Sequence, residues 1–368
     1  MSLFWPALLL VLLCIGGALY WIMPAERRPA LSSALAMRAL QKTIWLLTVF
    51  IGITLVSFSV IHLAPGSPTD METTLNPLAD AAAQQRLAEF YGLDRPLHVQ
   101  YASWLKQLAR LDFGNSMSSD GRPVIDKITE RLPLTLWVNL TVLFLTLILA
   151  IPLGIIAARH RGGLFDKGTT LFVFIGFSMP GFWLALLLVV FFSIELQWLP
   201  LSGVTSLDHD SLSAPGKVLD IMRHLALPVF VATFGSLAGM SRFMRASVLE
   251  VLRQDYILTA KAKGLPERTI MFRHALANAL LPVITLLGLQ VPALIGGSVI
   301  LETIFALPGL GLLFYDAVMS RDYPLIMGSL VLGAVLTLFG NLLADFCYGL
   351  ADPRIRAGAR EQLAGGVT

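Results

Sequence analysis

The sequence predicts an all-α integral membrane protein, and three observations lead there. Of its 368 residues, 56% are hydrophobic and only 14% charged, against about a quarter charged in an average soluble domain. Seven apolar runs, residues 3–23, 44–63, 134–158, 170–194, 225–240, 281–300 and 324–350, have the composition of bilayer-crossing helices, which need about 20 residues. The segments between them alternate in charge, as loops do when they face opposite sides of a membrane.

The first run, 3–23, lacks the charged leader of a signal peptide, is longer than the usual apolar core of one, and is followed by no small-residue cleavage site. It is expected to be a retained extra span. A basic linker to residue 42 carries Arg27, Arg28, Arg38 and Lys42 against Glu26. The first of six core spans, 44–63, then leads into the long polar segment 65–133. That segment reads as two short amphipathic helices joined by a turn at 92–96. Leu87, Phe90 and Tyr91 share one face, and Tyr101, Trp104, Leu105 and Leu108 share another at i, i+3, i+4, i+7 spacing, the pattern of a small packed cap. Five further core spans follow, and Pro152, Pro180, Pro228 and Pro292 are candidate kinks or breaks within them.

Charge sets the expected orientation. The loop 158–167 holds Arg159, Arg161 and Lys167 against Asp166, and 240–275 holds seven bases against three acids. The tail from 351 adds Arg354, Arg356 and Arg360 against Asp352 and Glu361, whereas 65–133, 196–222 and 302–323 each hold more acids than bases. Seven spans thread these loops with the N-terminus outside and the C-terminus in the cytoplasm.

Little in the chain speaks for catalysis. The string nearest to a nucleotide-binding loop, "GLFDKGTT" from Gly163, lacks the lysine after its second glycine and runs into a span. The six histidines have no paired-ligand spacing; His209, in "DHD", reads as a solvated loop residue. Cys14 and Cys347 both fall in apolar spans and read as small hydrophobes. Nothing points to nucleic acid. Polar groups within the spans are few. Gln290 lies mid-span, and Asn341 and Asp345, four residues apart, share a face of the last span; they read as inter-helix hydrogen bonders or pathway lining. So few buried carboxylates weigh against a proton-coupled carrier.

One polar insert stands out. "DYILTAKAKGLPERTIMFRH", Asp255 to His274, reads as a helix ended by Gly264 and a second amphipathic helix from near Glu267, with Pro266 suited to its first turn. Ala260 and Gly264, four apart, make a small-residue face flanked by cations. This fits a docking knob for another protein, or equally a basic loop held at an anionic leaflet.

That stretch, continued as "ALANALLPV", resembles the EAA-type loop of bacterial ABC importer permeases, in the variant of the oligopeptide/dipeptide/nickel branch. In order along the chain, "IHLAPGSPTD", "YGLDRPLHVQY", "DFGNSM", "GRPVIDKITERLPLTL", "GFSMPGFWLALLL", "LPLSG", "ETIFALPGLG", "SRDYPLIMG" and "DPRIR" resemble the dipeptide permease B-type subunit, over residues 37–356 or so. The resemblance implies a type I importer transmembrane domain of six core helices, here with one extra N-terminal helix, in the bacterial inner membrane. It implies the divisions 1–42, 43–64, 65–133, 134–350 with a coupling loop at 250–275, and 351–368. It further implies a second homologous permease subunit, two ABC ATPase subunits that bind the ATP and Mg, a periplasmic solute-binding protein and surrounding lipid as partners. The chain itself would be non-catalytic and without a cofactor. The coupling residues carried over are Asp255, Tyr256, Thr259, Ala260, Lys263 and Gly264; Leu258 stands where the motif has its glutamate. Peptides are the expected cargo, with nickel, another small solute or an antimicrobial peptide as alternatives within the family, and an ATP-independent carrier or a membrane enzyme as readings outside it.

Overall fold

The computed structural model describes residues 33–63 and 94–351. The chain divides into two units, Met1–Gly52, of which 33–52 are described, and Ile53–Thr368. The expected extra span at 3–23, the basic linker to residue 32, the first amphipathic helix of 65–133 and the tail beyond 351 lie outside the described residues.

Helix α1, Ser33–Leu63, carries the first apolar span as Thr43–Leu63. Its hydroxyls fold back onto its own backbone: Thr48 donates to the Ile44 carbonyl at 2.9 Å and Ser59 to the Leu55 carbonyl at 2.8 Å. Such bonds let a polar side chain sit among lipid-length apolar residues without an unmet donor. Helix α2, Leu97–Leu108, turns the predicted face inward. Leu108 is buried while Tyr101, Trp104 and Leu105 are half-buried, and the Tyr101 hydroxyl meets that of buried Thr54 at 3.0 Å. The cap reading of this stripe fits.

Helices α3, Val124–Arg159, and α6, Ala214–Val251, are the longest, at 36 and 38 residues, and they pack along each other. Pro133 and Pro152 lie inside α3 and Pro228 inside α6 without ending either helix. Contact is tight at Gly154, where a Cβ would stand 2.7 Å from the Cβ of Met244. Only a residue without a side chain lets the two backbones approach so nearly.

Two spans depart from the sequence expectation. Residues 170–194 are not one straight helix. Helix α4, Leu164–Ser178, and the segment Gly181–Glu195 meet at 95°. That segment is α5, Gly181–Leu188, prolonged by a π-helix, Val189–Glu195. The cause is Pro180: it cannot donate to the ladder and forces Met179 into extended backbone, φ −94° and ψ 120°. The fifth core span also ends early. Helix α7, Asp255–Ala262, and the short α8, Glu267–Thr269, are followed by a π-helical turn, Ile270–Ala275, then α9, Leu276–Ala279, and α10, Leu281–Gly296. Gly297, at φ +64°, stops α10, where the apolar pattern alone ran on to 300. Helices α11, Val299–Ile304, and α12, Leu310–Met319, then lead to α13, Tyr323–Ala351, which packs against α10.

Among the described residues, four helices are long and apolar enough to cross a membrane, and five segments are if the bent pair counts as one. The core lies where α3, α6, α7, α9 and α10 converge, around Met244, Val248, Ile257, Ala275 and Val283, all at most 1% exposed.

Candidate functional site

Two ends of the bundle carry polar chemistry. One, the basic end, holds the turn at 160–163 and the insert 252–266. The other, the loop end, holds 112–123, 196–213 and 297–322.

At the basic end α6 stops at Val251 and α7 starts three residues beyond Leu252, turning the chain outward. Helix α7 is fixed by its inner face: Ile257 and Ala260 are buried against Val248, Ile270 and Met271. Burying an isoleucine fully contributes about 2–3 kcal/mol, enough to seat a helix of only 8 residues that would not hold its shape alone. Its end is closed by a Schellman motif. The Leu265 amide donates to the Ala260 carbonyl at 3.3 Å and the Gly264 amide to the Lys261 carbonyl at 2.9 Å, with Gly264 at φ +73°. Pro266 caps the next helix, one position before the first turn expected for it.

Of the carried-over residues, Asp255, Tyr256, Thr259, Lys263 and Gly264 are exposed, together with Leu258 and Lys261. Ala260 is not. It faces the chain's own core, so the expected small-residue docking face splits, with Gly264 outside and Ala260 inside. The i+4 spacing put both on one stripe, but the helix ends at Ala262, and the left-handed turn at Gly264 carries that residue off the stripe. The Tyr256 hydroxyl accepts from Asn278 at 2.9 Å, tying the outer edge of α7 to α9. Arg159, at the end of α3, pairs with Glu267 at 3.2 Å across exposed surface.

The loop end is built from buried polar groups. Glu302, 7% exposed, accepts the amides of Leu312 at 2.9 Å and Ser298 at 3.3 Å and the Thr135 hydroxyl at 3.4 Å. Burial pushes the Glu302 carboxyl above its usual range, and the amides of Leu312, Ser298 and Gly311 pull it partly back. Thr135 also accepts the Leu310 amide at 2.8 Å, so α3, α11 and α12 meet on one carboxylate. A second node joins the 112–123 loop to α13. Asp322, 1% exposed, accepts the Ser116 hydroxyl, and Lys127 donates to Ser116 at 2.9 Å and pairs with Asp120 at 2.8 Å. The Lys127 ammonium beside it holds the Asp120 carboxyl down at about 2. In a third, Asp220 accepts the Ser206 amide at 3.0 Å and meets His209 Nδ1 at 2.7 Å. His209 is therefore anchored rather than solvated, because its ring folds back onto α6.

Of the polar residues singled out within spans, the side chains of Gln290 and Asn341 are described. Gln290 is exposed on α10, Asn341 is half-buried on α13, and the side chain of Asp345 lies outside the described residues. A residue that was passed over does more. Asn139 of α3 donates to the Leu294 carbonyl at 2.7 Å, which has no helical partner because α10 stops at Gly297. Asp166 and Arg245 were also missed, since both were read as loop residues. Helices α4 and α6 extend past the apolar runs and bring them together at 2.5 Å. The signal was present as an acid opening one helix and a base closing another.

Comparison with known proteins resolves what these two ends belong to. The family described as "Binding-protein-dependent transport system inner membrane component" matches residues 150–357, a stretch that contains α7 and Glu302. The chain belongs to this family. Among its curated relatives, the oligopeptide transport system permease protein AppB of Bacillus subtilis is 42% identical over 87% of this chain and 99% of its own length. The dipeptide transport system permease protein DppB of Escherichia coli K12 is 37% identical over 83% of this chain and 95% of its own. In fold, the chain is similar to an inward-facing structure of the MetNI methionine ABC transporter, with a TM-score of 0.50 and 17% identity over 64% of this chain and all of that one. As a family member the chain is a transmembrane permease component, and the motifs that suggested the family are the ones its structure uses. "DFGNSM" and "SRDYP" meet at Ser116 and Asp322, and "LPLTL" meets "ETIFALPGLG" at Thr135 and Glu302.

Proposed function

We propose that this permease forms half of a translocation pathway for peptides, paired with a second homologous permease subunit and driven by two separate ATPase subunits that bind ATP and Mg. The cargo reading rests on the relatives, whose names specify oligopeptide and dipeptide transport. The chain itself then carries no catalytic residue or cofactor, and a periplasmic binding protein delivers the peptide to the loop end. The alternation of charge places the N-terminus outside, the C-terminus and basic end in the cytoplasm, and the divisions 1–42, 43–64, 65–133, 134–350 and 351–368 follow that topology.

The observation that carries the coupling role is the two-sidedness of α7. Ile257 and Ala260 seat it in the core shared with α3, α6 and α9, while Asp255, Tyr256, Leu258, Thr259, Lys261 and Lys263 remain exposed. A short helix seated in this way transmits force as a rigid body, and an exposed helix face is a common means of docking in a groove. Leu258, 55% exposed, replaces the acidic contact of the motif with an apolar one. Helix α10 and the polar groups Gln290, Asn341 and Asp345 are assigned to the pathway or its inter-helix bonds.

The experiment is co-purification of the tagged chain with the ATPase subunits encoded beside it, followed by ATP-dependent peptide uptake in proteoliposomes. Gly264→Arg should insert normally yet lose the ATPase and uptake. Uptake by the chain alone, without any ATPase, would contradict the proposal.

A further inference from the structure

A cleft of about 460 Å³ opens between α3, α4 and α6 near the basic end, away from α7 and from the loop-end nodes. Its wall on α4 is the stripe Thr170, Val173, Phe174 and Phe177, at i, i+3, i+4, i+7, and Arg242 and Arg245 close its end on α6. The two arginines differ in what they already hold. Arg245 grips Asp166 through Nε at 2.5 Å and Nη2 at 2.8 Å, and Asp166 accepts the Gly162 amide at 2.8 Å as well. This pair is internally neutral, and it leaves the Nη1 group of Arg245 without a carboxylate. Arg242 is exposed and has no acidic partner among the described residues. The cleft therefore carries one net positive charge, set by Arg242.

The neighbouring hydroxyls offer no donor to a ligand. Thr170 gives its proton to the Asp166 carbonyl at 2.7 Å, Thr169 to the Phe165 carbonyl at 2.9 Å, and Ser241 to the Ala238 carbonyl at 3.2 Å. Whatever binds is recognised by guanidinium groups at one end and by hydrocarbon at the other. The two ends are those of Arg245 and Phe177, with Arg242 between them, three residues from Gly239, where a Cβ would lie 3.5 Å from the Phe177 ring. Asp166, beside Arg245, lies in the first turn of α4, and Phe177 is eleven residues on, roughly 16 Å along the helix at ~1.5 Å per residue. Phe174 and Phe177 are 68% and 63% exposed.

We propose that the cleft is a binding site for an anionic phospholipid, its phosphate on Arg242 and the free edge of Arg245 and its acyl chain along Phe174 and Phe177. The geometry matches the ligand. Arg245 and Arg242 lie six and nine residues in from the basic end of α6, and the aromatic wall runs from there along α4 to its far end at Phe174 and Phe177, deeper in the span. Basic pockets between spans are a known way for membrane proteins to hold acidic headgroups. A soluble phosphate would use the arginines and leave the wall empty, and a peptide carboxylate would compete from the aqueous phase. The site does not depend on the cargo reading above.

The test uses the intact importer assembly in a zwitterionic detergent, titrated with phosphatidylglycerol or phosphatidylcholine and read by native mass spectrometry of bound lipid. The wild type should retain phosphatidylglycerol in preference to phosphatidylcholine. Arg242→Gln should cut that preference by about fivefold, the ratio expected for one basic side chain, whereas Arg242→Lys should keep most of it at an unchanged melting temperature. Phe174→Ser should weaken long-chain phosphatidylglycerol more than a short-chain form. Equal binding of the acidic lipid by wild type and Arg242→Gln would overturn the proposal. So would full displacement by millimolar inorganic phosphate, which would mark a plain anion site, or by an acidic peptide, which would mark a cargo site.

Discussion

At the loop end, Glu302 and Asp322, both almost wholly buried, tie α3, α11, α12, α13 and the 112–123 loop together through oriented N–H and O–H donors. At the basic end, α7 rests on two apolar side chains, Ile257 and Ala260, and turns its charges outward. Hydrogen bonds to a buried carboxylate are directional and fix a loop in one geometry. Apolar contact fixes burial but leaves the outer face free for another protein. The difference is the one expected of a permease whose loop end must keep its shape while its basic end accepts a push. It also explains why an 8-residue helix suffices at one end while the other needs three separate nodes.

The largest effect should come from breaking a node. Glu302→Ala strands three amides and the Thr135 hydroxyl in a buried pocket, and should destabilise the purified permease by about 4 kcal/mol, since each unmet buried donor costs about 1–3 kcal/mol. Thermal unfolding in detergent measures this. Glu302→Gln should recover only part of the loss, because its amide nitrogen faces donors. If Glu302→Ala unfolds like wild type, the loop end is not held as described.

Next comes the seat of α7. Ile257→Ala removes a fully buried side chain and should cost about 3 kcal/mol, with faster protease cleavage confined to 252–266 and the loop end intact. Cleavage spread evenly over the chain would show that the two ends are not separately held.

A smaller effect is expected at Gly264, where φ is +73° but a Cβ would meet nothing within 4 Å. Gly264→Ala should cost only about 1 kcal/mol, the strain of a left-handed residue, readable as a small shift in melting temperature. The bulk of Gly264→Arg should then act on ATPase recovery rather than on folding.

The smallest concerns pH. The Asp120 carboxyl is held at about 2, below its usual 3.8, chiefly by Lys127. A depressed carboxylate contributes stability that is complete above the ordinary value and lost as pH falls through the folded one. Asp120 should therefore leave stability flat between pH 5 and 8 and weaken it only between about 4 and 2. Asp120→Asn should flatten that acid limb, as a pH series of melting temperatures would register.

Much of this was legible in the residues. Among the described residues the apolar runs located the four crossing-length helices and the bent pair, and the i, i+3, i+7 stripe of Tyr101, Trp104 and Leu108 placed α2 correctly. Gly264 marked the end of α7 because only a left-handed residue closes a Schellman turn cheaply. What could not be read were facts of partnership between distant segments. Glu302 pairs with Thr135, 167 residues away, and Ser116 with Asp322 across 206; no local pattern encodes either. Ala260 misled for a related reason. Small residues suit both a partner's approach and the chain's own tight packing, and only the tertiary seat of α7 decides between them. Asp166 and Arg245 were hidden because hydropathy ends a span where charge begins, whereas the helices run on.

The central claim is that the outer face of α7 engages the ATPase while its inner face belongs to the permease fold. The most direct test is Leu258→Asp, at a side chain 55% exposed and outside the core, read by ATPase co-purification alongside the melting temperature of the permease. The account predicts an unchanged melting temperature and loss of the bound ATPase. Full ATPase recovery with Leu258→Asp, or loss of fold along with loss of binding, would contradict it.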